Sequence, residues 1–490
     1  MGRQHMVEHH SPLARLLVTL AVGALLPTTQ LAAQHTAATT GSRSSHSATQ
    51  RSPSWTVRPE WVEAHERFLS SDVMHGRGSA TRDEQITATY VASEFMSYGL
   101  KPAPGMTGYI QSAEVVSPEL AGNATLTVGK VTLKEGDDFQ LLVASGAPVS
   151  GTLLKVLPES LAQAHAKGAI VMVGGDAQKA MAAASQLIRA GAALVLVPQS
   201  PATDALSAQL GGHARVGVRL KDSPRPVAAR NLAVLTAAAM ARLASENNGA
   251  SATLSVQVKP EASPRRTFNA VGYLAGTDPS AGTILLSAHL DHLGIGRPVN
   301  GDSIYNGAND DAAGTTAVME LAHALAAGPR LRRSVLFVCY GSEEIGELGS
   351  TYFGEHPPVP LTSLVANVEF EMIGSQDPKM PKGVLLFTGW DRSNLGPALK
   401  AHGALLGPDP YPEQHFFERS DNYALALQGV VAHTAAGWGT PPTYHQPDDE
   451  LSRLDIPFMT SAIQSLIDPL RWLATSDFKP AWNAGGRPER

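Results

Sequence analysis

Cysteine is almost absent: Cys339 is the single one in 490 residues, so no intramolecular disulfide holds this fold. It sits in the apolar run Val335-Leu-Phe-Val-Cys339 and reads as a small buried residue, not a reactive thiol. Charge is modest too, with 17% of residues charged and a formal net charge of -6. No basic stripe runs through the chain, which excludes nucleic acid as an expected partner. Internal repeats are lacking. The apolar stretch near the amino end, Leu16-Leu-Val-Thr-Leu-Ala-Val-Gly-Ala-Leu-Leu26, is too short to cross a bilayer comfortably. Arg3 and Arg15 precede it and Ala32-Ala33 follow, so residues 1–33 are expected to be an export signal. Its removal would leave no stable membrane anchor and a periplasmic or extracellular protein.

What is present is enough for two domains with tails, since 490 residues exceed one ordinary core. Hydrophobic content of 43% is that of a folded chain. Residues 34–54, rich in Ser, Thr, Ala and His, read as a flexible linker. Folding is expected from Trp55, with 55–112 an amino-terminal part of the main domain. There Thr81-Arg-Asp-Glu84 has capping-box spacing, and Ile86, Tyr90, Val91 and Phe95 recur at helical intervals up to Gly99. Short alternating runs then begin with Ala124-Thr-Leu-Thr-Val128 and Thr152-Leu-Leu-Lys-Val156. They predict an inserted α+β domain over 113–262, with Ser-Pro-Arg-Arg at 263–266 as its exit. Over 263–478, apolar runs at 284–288, 334–339, 364–368, 384–387 and 430–432 alternate with helical segments, among them 312–327 and 457–475. Residues 479–490 are left as a tail. The alternation predicts an α/β three-layer sandwich, a mostly parallel central sheet flanked by helices, with the smaller α+β domain inserted.

In such sheets ligands bind beyond the carboxyl ends of the strands. Polar residues gather there. The run Thr283-Ile-Leu-Leu delivers His289 in Ser287-Ala-His-Leu-Asp-His292, and Tyr305-Asn-Gly-Ala-Asn-Asp-Asp-Ala-Ala-Gly314 follows. Five candidate metal ligands come from separate segments: His289, Asp310, Glu344, Glu371 and His445. Imidazole and carboxylate are zinc's preferred donors. Three carboxylates and a bridging hydroxide would offset the charge of two divalent ions. Asp291 stands at the spacing where a carboxylate can orient a metal-binding imidazole. Asp310-Asp311 also has the form of a helix N-cap pair before Ala312. His323, His402, His415 and His433 are read as structural.

The segments His289-Leu-Asp291, Asn309-Asp-Asp311, Glu343-Glu-Ile-Gly-Glu-Leu-Gly-Ser350, Glu371-Met-Ile-Gly374 and Tyr444-His445 occur in the order of a known family. They resemble the di-zinc aminopeptidases, the family of aminopeptidase Y, bacterial leucyl aminopeptidases and the glutamate carboxypeptidase relatives. The similarity covers about 267–474 and the early segment Phe68-Leu-Ser-Ser-Asp-Val-Met-His-Gly-Arg-Gly78. The insert resembles the protease-associated domain. The resemblance implies two divalent metal ions per chain, zinc first, with peptides as substrates. His289 and Glu371 would bind one ion, Glu344 and His445 the other, and Asp310 both. It further implies that Asp291 orients His289 and Glu343 acts as general base. Tyr444 is a candidate oxyanion or substrate contact, and a cis peptide is implied after Asp310. One position departs, because the family has Asp where this chain has Glu371.

The expectation is an exported metal-dependent aminopeptidase that cleaves N-terminal residues through a bridging hydroxide. A carboxypeptidase of the glutamate-releasing type would need a cationic cluster for the substrate carboxylate. A single-zinc glutaminyl cyclase relative fits five ligand positions poorly. A non-catalytic scaffold of the transferrin-receptor type need not keep those positions. Oligomeric state is open at this level.

Overall fold

The computed structural model describes residues 55–210, 214–224, 231–259 and 264–489. The expected export signal, the linker over 34–54 and Ser263 of the expected exit lie outside them. The apolar runs of the carboxyl half assemble into a nine-stranded sheet. In chain order its strands are β1 (Ile110–Val116), β2 (Arg219–Leu220), β3 (Arg265–Leu274), β4 (Thr283–His289) and β5 (Ser334–Tyr340). Then come β6 (Leu364–Glu371), β7 (Leu385–Phe387), β8 (Leu406–Pro408) and β9 (Ala432–Ala436). Across the sheet they lie in the order β8-β7-β9-β6-β4-β5-β3-β1-β2. The central run β9-β6-β4-β5 is parallel. Antiparallel pairing enters at β3 on one side and β7 on the other.

Every residue of β4 and β5 is buried, which is why these strands read as continuous apolar runs. Alternation still sorts their side chains. Ile284, Leu286, Ala288, Val335 and Phe337 join one apolar cluster. Leu285, Leu336 and Val338 join another on the opposite face. Each fully buried Leu, Val or Phe of this kind contributes about 1.5–3 kcal/mol by leaving water.

Helices α1 (Pro59–Leu69), α2 (Arg82–Ser97), α3 (Ala313–Ala327) and α4 (Ile456–Thr475) cover the sheet. α3 packs against β4, β5, β6 and α4, and its small residues allow the close approach. A Cβ on Gly314 would collide with the Phe370 carbonyl. α2 ends before Gly99, whose φ of +82° favours glycine. Its predicted cap is present at Thr81, whose hydroxyl accepts from Asp83 N–H at 3.2 Å. Glu84 reaches further than a capping box requires. It accepts from Ala80 N–H (2.5 Å), Thr267 Oγ1–H (2.9 Å), Phe268 N–H (2.8 Å) and Ser342 Oγ–H (2.8 Å). One buried carboxylate thus ties α2 to β3 and to the loop after β5.

Strands between Thr125 and Ser255 form a second nine-stranded sheet with its own apolar clusters. The chain departs after β1 and returns at β3, and these two strands are antiparallel neighbours. The expected boundary at 113 falls inside β1, where Ala113 pairs with Thr267. Residues 219–220, inside the expected insert, pair with Val115 and Val116 at the edge of the first sheet. Among the described residues no helix is long and apolar enough to cross a membrane.

Candidate metal centre

The chemistry collects where β4, β5 and β6 end. His289 is the last residue of β4, and Thr315 Oγ1–H donates to its carbonyl at 2.8 Å. Beyond it the chain is pinned by Arg77, a fully buried guanidinium. Arg77 donates to the carbonyls of Leu290 (3.0 Å), Leu69 (2.8 Å), Asn306 (2.7 Å) and Gly307 (2.8 Å). It therefore joins the loop after His289 to the loop that leads to Asp310. Burial lowers its pKa, while Glu66, Asp291, Asp311 and Asp449 oppose that and keep the charge compensated.

The turn at 308–312 precedes α3, and its Asp310–Asp311 peptide bond is cis. Asp449 fastens this turn by accepting from Asn309 N–H (3.1 Å) and Asp310 N–H (3.0 Å). Asp311 joins three segments. It accepts from His289 N–H (3.3 Å), Gly314 N–H (2.9 Å) and Met372 N–H (2.9 Å). The bond to Gly314 is the helix-start contact its position suggests; the other two hold β4 and β6 in place.

After β5, Ser342 takes φ of 55° and the chain turns into Glu343-Glu344. Asp291 fixes that turn by accepting from Glu343 N–H (3.0 Å), Glu344 N–H (3.4 Å) and Ser79 Oγ–H (2.5 Å). The nearest acceptor for His289 Nδ1 is the carbonyl of Asp291 at 3.2 Å, with the Asp291 carboxylate 3.8 Å away. The carboxylate, taken by backbone N–H groups, places the Glu343-Glu344 pair, and the carbonyl is the group that faces the imidazole.

His289, Asp310 and Glu371 bring one donor atom each within 4.8 Å of one another, and so do His292, Asp310 and Glu344. His289 Nε2 lies 3.3 Å from Asp310 Oδ1. His445 Nε2 lies 3.2 Å from both Asp310 Oδ2 and Glu344 Oε2. All five sequence-derived ligand candidates therefore meet around Asp310. Tyr444 stacks on His445 with ring centroids 3.9 Å apart and lines a cavity beside Glu371. Glu343 stands beside the cluster, partly exposed, and belongs to neither triad.

The donor set fits a metal on two observations. First, His289 Nε2 and Asp310 Oδ2 are buried with no hydrogen-bond partner among the described residues. Such atoms are costly unless something binds them. Second, carboxylates outnumber cationic groups here, so the site attracts positive charge. Burial opposes charging His289, yet Asp310, Asp311 and Glu343 pull its pKa well above the usual imidazole range. Burial likewise opposes a charged His445, and Asp310 and Glu344 raise it to about 10. Burial and Asp310 work against ionising Glu344, but His292 and His445 outweigh them and hold it at about 2. Protons on imidazole and a divalent ion are competing answers to the same field.

The site also contains groups to which sequence reasoning gave no role. His292, Asp449, Arg77 and Ser79 were visible only as neighbours of recognised motifs, because the groups they bind lie far away in sequence. Glu369 points elsewhere: its Oε2 accepts from Asn422 N–H (2.5 Å) and Thr434 Oγ1–H (3.3 Å). Asp421 is buried and joins neither triad. His433 is held by Ser393 Oγ (2.7 Å) and Thr388 O (2.8 Å), and burial lowers its pKa to about 4. Burial pushes the Cys339 thiol up, so it stays protonated and inert.

Residues 269–467 match the model of peptidase family M28. Leupeptin-inactivating enzyme 1 of Streptomyces exfoliatus is 30% identical over 165 residues, 33% of this chain and 34% of that protein. Aminopeptidase YwaD of Bacillus subtilis is 24% identical over 155 residues, 30% of this chain and 33% of that protein. The chain thus spans about a third of the length of these relatives. An aminopeptidase from Aneurinibacillus sp. strain AM-1 shares the fold, with a TM-score of 0.51 and 18% identity over 86% of this chain and 94% of that one. Residues 269–467, the stretch similar to peptidase family M28, carry every side chain of the candidate metal cluster.

Proposed function

We propose that this protein is a metal-dependent aminopeptidase with two divalent ions, zinc first, that removes N-terminal residues from peptides. The observation that carries the reading is the gathering of His289 and Glu371, and of Glu344 and His445, around a shared Asp310, with a further carboxylate, Glu343, beside them. His289 and Glu371 would hold one ion, Glu344 and His445 the other, and Asp310 both. When bound, such ions polarise the scissile carbonyl and lower the pKa of the attacking water.

The chain's own residues supply the rest. Glu343 takes the water's proton and passes it to the leaving amine, acting first as base and then as acid. Withdrawal from water pushes its carboxyl well above the usual range; His289 opposes, and Glu344, Asp421 and Glu371 add to the rise. A carboxylate of raised pKa is a better proton acceptor near neutral pH. Asp291 holds Glu343 through its backbone N–H, which leaves the side chain free to move a proton. Burial, with Asp310 and Glu344 adding to it, pushes the Tyr444 hydroxyl up. It therefore stays protonated and able to donate to the oxyanion of the tetrahedral intermediate. Met372, Leu386, Phe416 and Ala436 line the cavity beside Glu371, together with Thr388 and Arg419. That cavity would take the side chain of the N-terminal residue.

The direction of attack rests on the relatives whose names describe aminopeptidases, such as that of Bacillus subtilis. Export remains part of the proposal on the composition of residues 1–33. The test is release of a chromogenic amine from aminoacyl arylamides by the purified protein, before and after chelation and with zinc, cobalt or manganese restored. Loss on chelation and recovery with metal are expected. No release under any metal would overturn the reading.

A further inference from the structure

We propose that His292 is a positioning residue that aims Glu344, and not itself a ligand. The inference rests on the two-ion reading above and adds a residue to which neither the motif set nor that reading gives a role. His292 Nδ1 lies 2.7 Å from Glu344 Oε1, and His445 Nε2 lies 3.2 Å from the other oxygen, Oε2. The two oxygens of one carboxylate are thus divided between two imidazoles.

The distances assign different tasks to those imidazoles. Nitrogen and oxygen ligands about 2.0–2.1 Å from one tetrahedral zinc lie about 3.3 Å from each other. His445 Nε2 to Asp310 and to Glu344, both 3.2 Å, and His289 Nε2 to Asp310, 3.3 Å, match that spacing. The 2.7 Å contact of His292 is instead that of a charge-assisted N–H···O hydrogen bond. Its next carboxylate oxygen, Asp310 Oδ2, is 3.8 Å away, outside bonding range. Nδ1 therefore carries the proton and donates it to Oε1, which leaves Oε2 turned towards His445.

The ring is built to stay there. His292 is fully buried, its N–H donates to the Arg77 carbonyl (3.1 Å), and its carbonyl accepts from Ser79 N–H (3.2 Å). Gly307 cradles the ring: with φ of +60°, a Cβ at that position would lie 2.5 Å from His292 Cγ. Fixing one oxygen of a ligating carboxylate removes rotamer freedom that metal binding would otherwise have to remove.

The experiment is calorimetric titration of metal-free protein with zinc, for wild type, His292→Phe and His292→Asn, with cobalt absorption spectra of each loaded protein. Phe fills the ring's space without a donor; Asn places an amide N–H where Nδ1 stands. His292→Phe should weaken one of two binding steps by about 10- to 100-fold and leave the other unchanged. His292→Asn should restore the step and reproduce the wild-type cobalt spectrum. If Phe fails to fold, Asn still decides, because wild-type affinity and spectrum support positioning. Equal loss in both variants with an altered cobalt spectrum would make His292 a ligand and overturn the proposal. Two wild-type affinities in His292→Phe would also overturn it while leaving the function intact. Fewer than two ions in the wild type would overturn the two-ion reading itself.

Discussion

Replacing Glu343 by Gln separates proton transfer from metal binding. The substitution keeps the side chain's size and leaves the Asp291 to Glu343 N–H bond of 3.0 Å in place. Glu343 is in neither group of donors around Asp310, so both ions should still bind with wild-type stoichiometry. What disappears is the proton acceptor, because the amide cannot take a proton from the attacking water. Loss of a positioned general base lowers turnover by about 10²- to 10⁴-fold. That corresponds to about 2.7–5.5 kcal/mol in the barrier. The assay is steady-state release from the best arylamide, with metal content measured on the same sample. The account expects kcat to fall by that factor with KM little changed, since the ligand set and the side-chain cavity are untouched. A variant with more than a tenth of wild-type kcat would refute the base assignment. Loss of an ion from the variant would refute the placement of Glu343 outside the ligand set.

Three further outcomes follow from the geometry. In the metal-free protein His445 has its pKa raised from 6.5 to about 10, so its contribution to stability is whole below pH 6.5 and is lost as pH rises through 10. Metal-free wild type should therefore lose more thermal stability between pH 7 and 10 than His445→Ala does, and zinc binding near pH 8 should release protons in a weakly buffered titration. Gly307→Ala should cost about 1–3 kcal/mol in a denaturant titration, because φ is +60° and the new Cβ meets His292; an unchanged midpoint would contradict the cradle. Arg419 lines the cavity beside Glu371 and lies 5.1 Å over the Phe416 ring. Arg419→Ala should reduce kcat/KM for acidic N-terminal residues relative to apolar ones across the arylamide panel, and an unchanged ranking would remove Arg419 from the substrate's surroundings.

The parallel core was legible because fully buried strands announce themselves: β4 and β5 are unbroken runs of apolar and small residues ending in His289 and Tyr340. The five ligand candidates were legible for a related reason, since each follows a strand or opens a turn at the same end of the sheet. The edges were harder. β2 is two residues long and pairs across more than a hundred residues of sequence, so no local pattern marks it. β9 begins at Ala432, where 430–432 was expected, because its carboxyl part is Ala and Thr with little strand signal. Asp291 does more than its spacing suggests. Its position beside His289 suggests that it orients the ring, 3.8 Å from Nδ1, and its carboxylate also accepts from the backbone of Glu343 and Glu344. Arg77, Asp449 and His292 act through partners that only folding brings near.

The central claim is best tested on a defined peptide of about eight residues, supplied free, N-acetylated or C-amidated, with the products followed by mass spectrometry in the presence of zinc. The account predicts stepwise loss of residues from the amino end, abolished by acetylation and indifferent to amidation. Loss from the carboxyl end, blocked by amidation and not by acetylation, would contradict it.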